Sequence, residues 1–235
     1  MAGFFFNTPD GVRQFDSNGW PVIGHTARAS VPSSALDFGL EFPFFTAKFI
    51  DITINGRSPM IAVRVPSTLH PVTGNPYKLG GIFSTRRNGD AFTFRIYVFS
   101  TNNDWAFDYF VIDRMQIAHD GMGLTFWDEA QQVVVFSTAT PFVNIPAAQA
   151  SGRRHAVVGF VSSTMSENFN DDFNNPSTQY EVTGNGFYYA DGKVFAASKV
   201  IDGGVVTGAS GPPYSGRDIG IAQPPLIIDV TDVGG

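Results

Sequence analysis

The chain contains no cysteine, which excludes a disulfide framework and any zinc site built on thiolates. Nor does it contain a run of roughly 18 apolar residues, the length a membrane-spanning helix requires. Charge is scarce: Asp, Glu, Lys and Arg make up 15% of the 235 residues, against about 25% in an ordinary soluble domain. The net charge is -6, and the basic doublets Arg86-Arg87 and Arg153-Arg154 are too short to form a basic stripe, so no nucleic-acid partner is expected. Met1-Ala2-Gly3 has no basic stretch leading into an apolar one, so no secretory leader is expected. Helical periodicity is missing as well; only Ala147-Ala148-Gln149-Ala150 has the makings of a single helical turn.

Signatures of chemistry are equally sparse. There is no G-x-x-x-x-G-K-[ST] phosphate loop and no G-x-S-x-G nucleophile elbow. His25, His70, His119 and His155 stand singly, without a second ligand at metal-binding spacing. Asp104, Asp108 and Asp113 flank an aromatic segment with Trp105 and Tyr109, but they do not share one strand face, as a pair of glycosidase carboxylates would need to. The sequence therefore points away from an enzyme and implies no cofactor; a glycoside hydrolase-like activity ranks third among the readings. For a metal, the weak candidates are Glu167, Asp171 and Asp172, oxygen donors in a polar stretch read as a loop over 162–177. Calcium favours such ligands, although the EF-hand glycine is absent.

What the chain has in abundance is β-forming residues and turns. It holds 23 Phe, 25 Gly and 15 Pro, and its apolar residues alternate with polar ones at period two. The clearest strand is 91–100, where Phe92, Phe94, Ile96 and Val98 share the face expected to meet a core. Further strands are expected at 21–27, 49–54, 60–65, 82–85, 105–117, 155–161, 180–190, 193–201 and 226–228. Asn55-Gly56 is a hairpin signal, and Asp191-Gly192 is a stronger one that favours a type I′ turn. The fold class expected is all-β, an antiparallel β-sandwich or two packed β-sheets with little or no helix.

The opening of the chain has an echo. Residues 3–24 run strand, turn, strand and a proline-started strand, and 123–144 follow the same order. At an offset of 120, Gly3 matches Gly123, Phe6 matches Phe126, Ser17 matches Ser137 and Pro21 matches Pro141, which suggests a repeated unit. The organisation expected is a β-rich domain over 1–146 and, over 147–235, a hairpin extension with a Gly/Pro-rich tail, either separate or packed on the same core.

Low surface charge and plentiful aromatics suit a protein packed against partners, because charged residues are depleted at interface cores. The segments expected to make such contacts are the first hairpin, with Phe4, Phe5, Phe6 and Phe15, and the final apolar run Leu226, Ile227 and Ile228. Trp20, Trp105 and Tyr109 are the candidates for stacking against a ligand.

The segment Gly3-Phe4-Phe5-Phe6-Asn7-Thr8-Pro9-Asp10-Gly11-Val12-Arg13-Gln14-Phe15-Asp16-Ser17, followed by Pro21-Val22-Ile23-Gly24, resembles the start of a family of small β-rich virion proteins. These are encoded in the tail-gene clusters of long-tailed bacteriophages. The resemblance covers about the first tenth of the chain, and the Gly/Pro-rich carboxyl-terminal part departs from it. It implies a minor tail or baseplate/tail-tip subunit, assembled in the host cytoplasm into the virion tail, with no catalytic residues to carry over. Its partners would be other virion proteins and copies of itself in a ring. The alternative reading is a receptor- or carbohydrate-binding module of the same particle, facing a host-surface glycan.

Overall fold

Period-two alternation becomes strand along most of the chain in the computed structural model, which describes residues 5–7, 13–16, 23–38, 46–114, 125–128, 133–137, 145–146, 148–170, 177–207, 225–231 and 233. The first strands are β1 (Phe5–Asn7), β2 (Arg13–Asp16), β3 (Ile23–Val31), β4 (Asp37–Phe38), β5 (Ala47–Asn55), β6 (Met60–Arg64), β7 (Lys78–Asn88) and β8 (Ala91–Ser100). Then come β9 (Phe107–Arg114), β10 (Thr125–Asp128), β11 (Val133–Ser137), β12 (His155–Val158), β13 (Ser162–Asn170), β14 (Ser177–Ala190), β15 (Lys193–Thr207) and β16 (Leu226–Asp229). The described residues contain no α-helix; Ser33–Ala35 makes one 3-10 turn.

Two antiparallel sheets pack together, as an all-β sandwich requires. A five-stranded sheet has the order β16-β12-β6-β9-β3, and a seven-stranded sheet has the order β13-β14-β7-β8-β5-β4 with β15 on β14. Between them, Ile61, Val63, Phe107 and Val157 of the first meet Ile52, Ile82, Phe94, Ile96 and Val98 of the second. Burying each such side chain is worth about 1.5–3 kcal/mol. Strands on both sides of residue 147 enter these sheets: β12 pairs with β6, and β14 pairs with β7.

Turn chemistry sorts the connections. Asp191 and Gly192 both have positive φ, 50° and 79°, the type I′ geometry that joins β14 to β15 in register from Ala190↔Lys193 to Thr183↔Val200, beyond which the register shifts. Asn55-Gly56 behaves otherwise. β5 lies in one sheet and β6 in the other, so the connection is an arch between sheets rather than a hairpin. The Asp113 carboxylate holds that arch, accepting hydrogen bonds from Arg57 N at 3.0 Å and Ser58 N at 2.9 Å.

The expected loop at 162–177 is the second correction. Residues 162–170 form β13, which pairs with β14 from Ser162↔Asn185 to Asn170↔Ser177. Its polar side chains give no apolar alternation, but the long neighbouring strand offers a ladder of backbone partners, and backbone pairing does not depend on side-chain polarity.

β13, β14 and β15, at one end of the seven-stranded sheet, make an arm that packs back over the outer face of its β5, β7 and β8 strands. Leu79, Tyr97 and Phe99, all fully buried, pack there against Val161, Val182 and Ile201 from the arm side. A third apolar cluster, with Ala62, Phe110, Ile112, Ala156, Ile228 and Val230, backs the five-stranded sheet.

Outside the two sheets lie two small hairpins, β1–β2 and β10–β11. In the first, Phe6 pairs with Phe15 and the register slips between Phe6 and Asn7; in the second, Phe126 pairs with Phe136 and the register slips between Phe126 and Trp127. The bulge thus falls at the same place in the two segments that match at an offset of 120. β2 precedes β3 and β9 precedes β10 in the chain, and β3 and β9 are neighbours whose shared end is the pair Ile23↔Arg114.

Candidate binding site

Several of the ionised side chains within the body are tied into structural pairs. Arg64 is ion-paired with Asp108, whose carboxylate also accepts from Ser30 Oγ at 2.5 Å. Lys78, 4% exposed, donates to Asp104 at 2.6 Å and to the Ala106 carbonyl at 2.7 Å. Arg95 grips Asp51 through two bonds of 2.8 and 2.7 Å, and Arg153 is paired with Asp229. Burial alone would raise the pKa of Asp104, Asp108 and Asp229, but hydrogen bonds and nearby cations outweigh it and hold all three below the ordinary aspartate value. A carboxylate kept ionised and saturated in this way is a strut rather than an acid catalyst. Asp104, Asp108 and Asp113, the carboxylates considered for glycoside chemistry, all have such structural partners.

The residues expected to stack on a ligand divide. Trp105 lies inward, 7% exposed, with Lys48 Nζ 4.3 Å from its ring centre and Phe38 4.8 Å from the same ammonium. It closes the end of the sandwich where 3-10 turn and β9 meet, through the Trp105 N to Ser33 Oγ bond of 2.9 Å, and presents no open ring. Tyr109 is half-buried against the central core. Trp20 falls outside the described residues, as do Phe4, Asp171 and Asp172. Phe5, Phe6 and Phe15 lie on the β1–β2 hairpin.

Leu226, Ile227 and Ile228 form β16, the edge strand paired with β12. Ile228 is wholly buried in the chain's own core, so it has no surface to offer a partner. Glu167 is on β13, opposite Tyr180. Among the described residues no group of three His, Asp or Glu is arranged to hold a metal ion.

A feature that sequence reasoning missed is a groove of about 440 Å³ and mixed polar and apolar lining between the 66–77 segment and the arm, lined by His70, Tyr77, Glu181, Thr183, Ser198 and Lys199 among others. One wall is a small excursion between β6 and β7. The segment is anchored at its start by Ser67 N donating to Tyr189 O at 3.0 Å, and closed by His70 N to Asn75 O at 2.8 Å and Tyr77 N to Thr68 O at 3.0 Å. Val72 N and Thr73 N both donate to His70 Nδ1 at 3.2 Å, which fixes the ring against its own loop. Tyr77 contacts that ring at 5.6 Å between centres.

The other wall is the solvent face of β14 and β15, where Thr183 is opposite Val200 and Asn185 opposite Ser198. Lys199 reaches across and donates to the Pro76 carbonyl at 2.8 Å, and burial pushes its amine below the ordinary lysine value. The proline- and glycine-rich run 66–76 signalled only turns in the sequence, because its partner wall comes from more than a hundred residues downstream.

No known protein family, no characterised protein and no solved structure matches the chain. The class defined by the fold is an all-β, antiparallel sandwich of two packed sheets, in which β14 and β15 of the larger sheet also pack on the outer face of its own β7 and β8.

Proposed function

We propose that the chain is a structural, non-enzymatic subunit of a larger assembly, of the kind its opening segment resembles: a minor tail or baseplate component of a bacteriophage virion. The observation that carries this reading is the pair of hairpins β1–β2 and β10–β11, each a two-stranded sheet by itself. An isolated two-stranded hairpin is marginally stable in water, and its outer edges carry backbone donors and acceptors that another chain's strand satisfies. β2 precedes β3 and β10 follows β9 in the chain, and the ends Ile23 and Arg114 of β3 and β9 are paired; on this reading one partner surface engages both hairpins. Copies of the chain around a ring supply such a surface repeatedly.

The test is mass spectrometry of purified intact particles together with hydrogen exchange of the full-length chain. The chain is expected in the tail fraction at a constant copy number, with amides of 5–16 and 125–137 exchanging fast in the isolated protein and slowly in the particle. Infectious particles that lack the chain overturn the proposal.

A further inference from the structure

The groove between the 66–77 segment and the arm is independent of both hairpins, and its chemistry points to a small ligand. Its volume of about 440 Å³ falls in the range of roughly 300–1,000 Å³ that ligand pockets occupy. Its lining mixes apolar surface from Pro76, Val200 and the Tyr77 ring with an imidazole (His70), a carboxylate (Glu181), an ammonium (Lys199) and hydroxyls that include Thr183 and Ser198. An apolar occupant would strip water from these groups and leave them unpaired, at about 1–3 kcal/mol each. The occupant must therefore carry donors and acceptors of its own.

The hydrogen-bond capacity left over identifies what kind. His70 Nδ1 accepts from two backbone amides, so the neutral ring carries its proton on Nε2, a donor with no protein partner among the described residues. Lys199 commits one of its three hydrogens to Pro76 O, and no carboxylate within the described residues forms an ion pair with it. Among the described residues Glu181 accepts only a long 3.5 Å bond, from Thr183 Oγ1. Donors and an acceptor thus converge on one space, with the Tyr77 ring beside them. Clustered hydroxyl groups, which donate and accept together, satisfy this set, while a pyranose also has an apolar face for the aromatic ring. We infer that the groove binds a saccharide of one or two rings, with His70 and Lys199 donating to its oxygens, Glu181 accepting from its hydroxyls and Tyr77 against its ring.

The experiment is an amide NMR titration of the full-length chain with the methyl glycosides of glucose, galactose, N-acetylglucosamine and glucuronic acid, and with inorganic phosphate as the plain anion. At least one glycoside is expected to shift the amides of 70–77 and 181–199, with a dissociation constant of about 1 mM or below. Lys199→Met and Tyr77→Ala should each weaken that binding about tenfold without changing the melting temperature, while Arg86→Ala, at the far end of β7, leaves it unchanged. If either groove variant does not fold, Thr183→Val and Ser198→Ala, on the arm's outer face, replace it. No glycoside response at about 20 mM, a response to phosphate alone, or shifts that persist in all groove variants overturns the inference. Such a failure leaves the assembly reading untouched, since the hairpins take no part in the groove.

Discussion

Phe99 lies against the bare backbone of Gly184, where a Cβ would stand 3.0 Å from Phe99 Cδ2 and 3.1 Å from Ile201 Cγ2. This approach lets the arm settle on the outer face of the seven-stranded sheet and bury Tyr97 and Phe99 completely. A side chain at 184 must push Phe99 or lift the arm. Gly184→Leu is expected to destabilise the protein by about 1–3 kcal/mol, the usual cost of overpacking, as measured by urea unfolding. Amide exchange should speed up in β13–β15 more than in β8, and equal acceleration everywhere would show that the arm is not a separable unit.

The Asp113 carboxylate is buried and holds the arch between sheets through the amides of Arg57 and Ser58. Gly56 makes room for it, because a Cβ there would overlap Asp113 Oδ2. Asp113→Ala leaves two amides without their acceptor and should cost about 1–3 kcal/mol for each that stays buried. Asp113→Asn retains one acceptor oxygen and should cost less. Equilibrium denaturation of the two variants gives the order, and an alanine variant as stable as the asparagine one would refute it.

Arg64 and Asp108 sit across the β6–β9 pair, with side chains 12% and 13% exposed. The guanidinium also lies 5.3 Å from the centre of the Tyr189 ring, linking the five-stranded sheet to the arm. Arg64→Met leaves the Asp108 carboxylate without its main cation and should cost about 3 kcal/mol. The double variant Arg64→Met/Asp108→Leu should recover a large part of that loss, since no unpaired charge remains. A double-mutant cycle reads the coupling directly; additive losses would mean that the pair contributes nothing as a pair.

Acid should unfold the protein in two stages. The hydrogen bond from Arg95 lowers Asp51, and in Asp104, Asp108 and Asp229 burial works upward but is overcome by bonded donors and cations. A folded value below the unfolded one means stabilisation that is complete above about pH 4 and is lost as pH falls further through the folded values. His25 acts higher. Its ring is buried with neither nitrogen hydrogen-bonded among the described residues, and burial lowers its pKa against the opposing pull of Asp229. The unfolded chain therefore takes up that proton first, and stability declines as pH drops below about 6.5. Urea midpoints from pH 7.5 down to 3 should show both stages, and His25→Leu should flatten the upper one while leaving the lower; an unchanged upper stage would exclude His25 as its source.

The β class of the protein, its strongest strand and its tightest turn were legible in the sequence because each depends on local rules. Residues 91–100 alternate at period two and form β8 over the same span; Asp191-Gly192 has the residue types that tolerate positive φ, and both adopt it. Phe94, Ile96 and Val98 face the core between the sheets, as their alternation implies. Sheet membership was not legible in this way. Asn55-Gly56 reads as a hairpin, yet a carboxylate 56 residues away along the chain from Arg57 turns it into an arch. β13 looks like a loop because its polar side chains conceal a backbone that β14 pairs throughout.

The groove, too, belongs wholly to tertiary structure. Its walls are the 66–77 segment and β14–β15, and Lys199 reaches Pro76 across 123 positions of sequence. Side-chain type and alternation set what each segment is, since they act between neighbours. Which segments meet is decided by burial of both faces at once: the apolar outer face of β8, with Tyr97 and Phe99, is stable only when covered, and no local pattern names the strands that cover it.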